Sequence, residues 1–232
     1  MCGRFALTTD GQALQLHFNL TAMPEGLVMA RYNIAPTQPV MVITNQSPKT
    51  ITLQKWGLIP SWSKDPSIAS TLINARAETL EEKPSFRTAF KRRRCLIPAT
   101  GFYEWGKGEG KTKQPYYIHL KNEPLFAFAG LWETWHNPDG DMVETCTIIT
   151  TEPNDLIRPF HHRMAVILDP DDYELWLSPD ELSPNVLKPL LNTFPEERMA
   201  YHAVSTLVNN VRNDSPDCIK PLMPPEQNSL FS

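Results

Sequence analysis

Residues 94–105 read RCLIPATGFYEW, and the fold class turns on this stretch. Apolar, β-branched and aromatic side chains follow one another without helical spacing, a composition that suits the pleated, half-covered surface of a strand. The same composition continues downstream in QPYYIHL (114–120), LFAFAGLWETW (125–135) and VETCTIITT (143–151), with the turn-forming stretches GKGEGKTK (106–113) and NPDGD (137–141) between them. Upstream, PVMVIT (39–44) and TITLQKW (50–56) read as strands separated by the turn-rich NQSPK, and MAVIL (164–168) reads as a further strand.

Helical signals are short. TTDGQALQLHF (8–18) predicts an amphipathic helix, capped by Thr9 or Asp10 and burying Leu14, Leu16 and Phe18. Residues 75–94 have helical composition interrupted by Pro84, which allows two short helices, and DPDDYELWL (169–177) predicts a helix with acids in its first turn. The 22 prolines favour short elements with irregular connections. No Gly/Ser linker or shift of composition marks a boundary. The expectation is therefore a single α+β domain over residues 1–232, built on a mixed, largely antiparallel sheet.

A chain of 232 residues, 41% hydrophobic and 21% charged, is long enough to bury a sizeable core. Its four cysteines, Cys2, Cys95, Cys146 and Cys218, form no C-x-x-C pair, which argues against a zinc ribbon or a disulfide framework and fits a reducing cytoplasm. No apolar run approaches the ~20 residues of a membrane span, and no signal peptide is evident. The net charge of −4 argues against indiscriminate coating of nucleic acid but permits a local basic groove. Lys91, Arg92, Arg93 and Arg94 form one basic run, read as a solvated face unless other cations converge on it.

The N-terminus carries the chemical question. MCGRF places a cysteine directly behind the initiator methionine, so removal of Met1 would leave an α-amine and a thiol on one residue. Their ordinary pKa values, about 7.7 to 8.0 and about 8.5, leave a useful fraction of each unprotonated near neutrality. Such a pair needs an acid or base and groups that hold its substrate. Asn74 in LINARAET is an amide that donates and accepts, with Arg76 on the same face if the backbone is extended. Glu104 in GFYEW sits among aromatics, a setting that raises a carboxyl pKa. FHHRMAVIL offers His161, His162 and Arg163, and WGLIPSW presents Trp56 and Trp62 around a proline.

Taken together, MCGRFA, RYNIAPTQ, WGLIPSW, INARAET, RCLIPATGFYEW, TIITTEPN and HHRMAVIL resemble the ordered signature blocks of the SRAP family, the SOS-response-associated peptidases also described as abasic-site processing proteins. The blocks run over about residues 2–168; YHAVSTLVNNVRND lies in a completing region to 222, and a tail follows at 223–232. The resemblance implies a sheet curled into a barrel-like core and a protein that crosslinks itself to abasic sites in single-stranded DNA. By the same resemblance Cys2, freed of Met1, is the crosslinking residue, with Asn74, Glu104 and His161 as catalytic partners and Arg4, Pro36, Trp62, Arg76 and Arg163 as DNA contacts. It implies no metal and no cofactor, and it leaves room for replication-fork proteins as partners beside the DNA. Two positions depart from the family pattern: His162 stands where Asn or Asp is usual, and Ala165 replaces a proline, which leaves the choice between the adjacent histidines open.

Two other classes fit part of the sequence. Glutamine amidotransferase domains also begin Met-Cys-Gly and use the terminal amine as base for its own thiol. A noncatalytic single-strand-binding module would make Cys2 incidental. The peptidase in the family name is accounted for by removal of whatever precedes the cysteine, here Met1.

Overall fold

The computed structural model describes residues 2–21, 23, 26, 30–108 and 112–222. Met1, residues 109–111 of the GKGEGKTK turn and the tail 223–232 lie outside the described residues. In chain order the strands are β1 (Phe5–Leu7), β2 (Arg31–Ile34), β3 (Pro39–Thr44), β4 (Thr52–Trp56), β5 (Asn74–Arg76), β6 (Arg94–Ala99) and β7 (Gly101–Lys107). They continue as β8 (Lys113–Leu120), β9 (Phe126–His136), β10 (Met142–Thr151), β11 (Met164–Ala165), β12 (Ile167–Leu168) and β13 (Met199–Ala203). The α-helices are short: α1 (Gly11–His17), α2 (Arg87–Arg92), α3 (Tyr173–Trp176) and α4 (Pro184–Leu187). Among the described residues no helix is long and apolar enough to cross a membrane.

Strands β10, β4, β3, β6 and β9 hydrogen-bond in that order, and β9 returns to β10, closing a five-stranded barrel. Among the described residues only β4 and β5 run parallel to β10; the other pairings are antiparallel, as the sequence suggests. Closure explains why β6 and the first eight residues of β9 are buried on both faces and read as continuous apolar runs. Gly130 permits the tight wall: a Cβ there would lie 2.8 Å from the Cys95 sulfur.

The chain leaves the barrel at Thr100 and enters a second sheet, ordered β13-β8-β7-β1-β2. Gly101 makes this corner, since a Cβ would fall 2.2 Å from Tyr117 Cζ. The inner face of this sheet packs on the barrel through edge-to-face rings, Phe5 on Trp56 at 5.3 Å and Phe102 on Phe128 at 5.9 Å between centroids. Each such buried ring contributes about 1.5 to 3 kcal/mol through area removed from water.

Several helical readings need correction. α1 forms with Asp10 as its cap, the carboxylate accepting from the Ala13 N–H at 2.8 Å, but Leu16 is 75% exposed because only Leu14 and Phe18 reach the core. Of the stretch 75–94, Ala75 and Arg76 form a strand with Asn74, because β10 offers them a ladder (Asn74 opposite Ile148, Arg76 opposite Thr150); a 3₁₀ turn at Ala77–Thr79 and α2 are the helical remnants of that stretch. The segment 169–177 folds as a 3₁₀ turn running into the single turn of α3.

The basic run is no common solvated face. Arg92 pairs with Glu181 at 2.7 Å, and Arg93 pairs at 2.7 Å with Glu133. Arg94 is wholly buried and donates to five backbone carbonyls, those of Phe90, Lys91, Trp176, Ser178 and Asp180. The cleft beside α2, about 600 Å³, sets Arg87, Lys91 and Arg92 against Glu81 and Glu181, so its cations are countered locally.

Candidate active site

Pairing of β1 with β7 brings the N-terminus to the site. Phe5 lies opposite Phe102 and Ala6 opposite Gly101, and the Tyr103 N–H donates to the Arg4 carbonyl at 2.9 Å. Continuing that antiparallel register sets Cys2 and Gly3 alongside Glu104 and Trp105. The Cys2 thiol is fully buried, and burial, with the nearby Glu104 charge adding to it, pushes its pKa up to about 12. Glu104, 5% exposed, has its carboxyl raised by burial to about 7, so near neutrality it is present in both protonation states.

Strand β5 contributes Asn74 from the other side. Its Nδ2 donates to the Cys2 carbonyl at 3.0 Å, while its buried Oδ1 has no hydrogen-bond partner among the described residues. Asn74 and Arg76 share a face of β5, as alternation requires, and Arg76 is exposed.

The end of β10 ties in the histidine segment. Thr151 pairs with Met164 and Thr150 with Ala165, so residues 161–163 are delivered next to Arg76, itself opposite Thr150. His161 Nδ1 lies 3.0 Å from the Arg163 backbone N–H and 3.2 Å from the Arg163 carbonyl, so the Arg163 peptide groups orient the ring in either neutral tautomer. Burial, with the charges of His162 and Lys113 adding to it, lowers the His161 pKa to about 4 and keeps the ring neutral at physiological pH. His162 is exposed and stacks on His161 at 4.3 Å between ring centroids.

The expected DNA contacts fall into three groups. Arg76 and Trp62, the latter 61% exposed in the loop between β4 and β5, face solvent, and Pro36 is half-buried in the β2–β3 turn. Arg4 is held by the fold: its Nη1 donates to Asn33 Oδ1 at 2.7 Å and to the Val208 carbonyl at 2.6 Å. Arg163 is gripped in bidentate fashion by Glu78, at 2.7 and 2.9 Å, and also donates to the Thr150 carbonyl. Glu78 lies within INARAET, and only the fold reveals that it faces Arg163. Lys113 is likewise invisible as a site residue in sequence, yet its charge acts on both Glu104 and His161.

Comparison with known proteins places this geometry in context. A family model described as SOS response associated peptidase (SRAP) matches residues 1–211. The chain is 46% identical over 222 residues to the abasic site processing protein YoqW of Bacillus subtilis (strain 168), covering 95% of this chain and 99% of that one. It is 35% identical over 231 residues to the abasic site processing protein HMCES of Gallus gallus, covering 85% and 68% respectively. A crystal structure of a protein from Bacteroides thetaiotaomicron has a TM-score of 0.86 at 30% identity, over 96% of this chain and all of that one.

Proposed function

Because the chain belongs to the SOS response associated peptidase (SRAP) family, we propose that it processes abasic sites in single-stranded DNA by trapping them covalently on Cys2. The observation that carries this reading is the hydrogen bond from Asn74 to the Cys2 carbonyl beside a buried carboxyl poised near neutrality. The relatives bear abasic site processing in their names, which supports the same substrate here.

Removal of Met1 frees the Cys2 α-amine; this trimming is the peptidase step the reading requires. The amine adds to the aldehyde of the ring-opened deoxyribose, and the resulting carbinolamine loses water to give an imine. The Cys2 sulfur then adds to the imine carbon while its proton passes to the nitrogen, closing a five-membered thiazolidine without any oxidant or reductant. An internal cysteine has no free amine and cannot close this ring.

Each neighbour has a role in that sequence. Protonated Glu104 assists ring opening and the departure of water, and its ionised form accepts the proton of a thiol too basic to ionise alone. Asn74 Oδ1 is an acceptor for the freed amine, and Nδ2 fixes the Cys2 carbonyl. Neutral His161 exchanges a proton with a sugar oxygen. Arg76 meets backbone phosphate, Trp62 and Pro36 hold the unpaired strand, and Arg163 exchanges Glu78 for phosphate when DNA arrives. Arg4 acts by holding the strand that carries Cys2.

The test is direct. Purified protein incubated with single-stranded DNA bearing one abasic site should give a heat-stable, slower-migrating band on a denaturing gel. The band should vanish for Cys2→Ser and with intact DNA; a wild-type protein that forms none overturns the reading.

A further inference from the structure

Three aromatic rings from distant parts of the chain meet beside the site. Tyr116 of β8 and Phe160 lie 4.8 Å apart between centroids, and Tyr201 of β13 meets Phe160 at 5.0 Å and Tyr116 at 5.6 Å, both edge-to-face. Tyr116 is the direct cross-strand neighbour of Glu104, and Phe160 immediately precedes His161. The trio is therefore continuous with the groups that surround Cys2.

These rings do not serve as ordinary core. Phe102, Phe126 and Phe128 are fully enclosed, whereas Tyr201, on the outer edge strand of its sheet, is 49% exposed and its two companions are half-buried. Gly106 of β7 makes room for the cluster, since a Cβ there would lie 3.0 Å from both the Phe160 and the Tyr116 rings. A cation lies close by: exposed Lys113 begins the strand that carries Tyr116, and its charge acts on both Glu104 and His161. An open aromatic wall beside an exposed lysine suits a nucleotide, whose base offers a π-face and whose phosphate needs countercharge.

We propose that Tyr116, Phe160 and Tyr201 seat the nucleobase adjoining the abasic sugar, with Lys113 supplying the cation for the phosphate on that side. The proposal rests on the abasic-DNA reading and adds a reason for strand position: the base next to the lesion anchors the sugar in front of Cys2.

The test uses fluorescence anisotropy with a labelled single-stranded oligonucleotide containing a tetrahydrofuran abasic analogue, which binds but has no aldehyde to crosslink. Tyr201→Ala should bind at least 5-fold more weakly, the loss of one base–aromatic stack, and Tyr201→Trp should restore affinity. When both nucleotides flanking the analogue are replaced by base-less spacers, wild type and Tyr201→Ala should bind alike. Weakening of less than 5-fold, no recovery with tryptophan, or a penalty that persists with the spacers overturns the platform. Failure of wild type to crosslink authentic abasic DNA would instead sink the function and leave this binding result to stand by itself.

Discussion

Asn74 donates from Nδ2 to the carbonyl of Cys2 at 3.0 Å, so an amide on β5 fixes a residue that lies 72 positions earlier in the chain. The donor makes this contact specific. Asn74→Asp preserves shape but removes the N–H and adds a charge near Glu104, and Asn74→Ala removes both ends of the amide. Either change should slow crosslink formation about 10²-fold, the scale of a loss of alignment between reacting groups, with the thermal melt close to wild type. Single-turnover gel kinetics on abasic DNA measure it, and a rate within threefold of wild type removes Asn74 from the mechanism.

Glu104 yields a prediction in pH. Burial raises its folded pKa to about 7, above the ordinary carboxyl value, so the folded state prefers the protonated form. Its contribution to stability is then fully present below about pH 4.5 and is lost as pH rises through about 7. Glu104→Gln, which cannot ionise, should be more stable than wild type at pH 8, by on the order of 3 kcal/mol at most, and no more stable at pH 4. Urea unfolding at the two pH values checks the sign. The same variant should form and reverse the crosslink more slowly.

The two histidines are separable. His161 is oriented by the Arg163 backbone and held neutral, while His162 is an exposed ring stacked on it. His161→Ala should lower the crosslinking rate by about 10²-fold, and His162→Ala by only a few-fold. A larger effect at His162 assigns the proton transfer to the other ring.

The Arg163–Glu78 pair predicts a salt effect. Its carboxylate, held below the ordinary range by the hydrogen bonds from Arg163, occupies the guanidinium that phosphate would take. Glu78→Gln should tighten binding to single-stranded DNA and steepen the plot of log K against log salt by about 0.7, the increment for one phosphate contact. Adding Arg163→Ala to that variant should return the slope to the wild-type value. A slope unchanged by Glu78→Gln makes Arg163 a structural strap only.

Much of this architecture is legible in the chain. The strands from Arg94 to Thr151 declare themselves because β-branched and aromatic composition coincides with burial, and the residues around Cys2 stand out because their chemistry is rare in those settings. Ala75 and Arg76 fall in the stretch that reads as helical but fold as strand, because pairing with β10 outweighs local propensity. Leu16 keeps the helical spacing, yet α1 is too short and too peripheral for that position to find a neighbour. Glu78 and the Tyr116–Phe160–Tyr201 cluster carry no local signal, since they are defined by register between segments far apart in sequence.

Arg94 is the sharpest departure from a reading of charge as surface, and it predicts a stability effect remote from the site. Among the described residues the guanidinium meets no carboxylate, and burial lowers its pKa to about 10, so it remains a cation at neutrality and is satisfied by carbonyl oxygens. Its flat fork reaches carbonyls on α2 and on the segment after α3 at the same time, which the three donors of a lysine on a narrower head cannot do. Arg94→Lys and Arg94→Met should therefore both destabilise the fold by at least about 3 kcal/mol, because several buried acceptors lose their donors at about 1 to 3 kcal/mol each. Equilibrium denaturant unfolding, with an unchanged m-value, measures the loss. Crosslinking by whatever fraction remains folded should proceed at the wild-type rate; a methionine variant as stable as wild type would mean that the carbonyls find water and that Arg94 is dispensable.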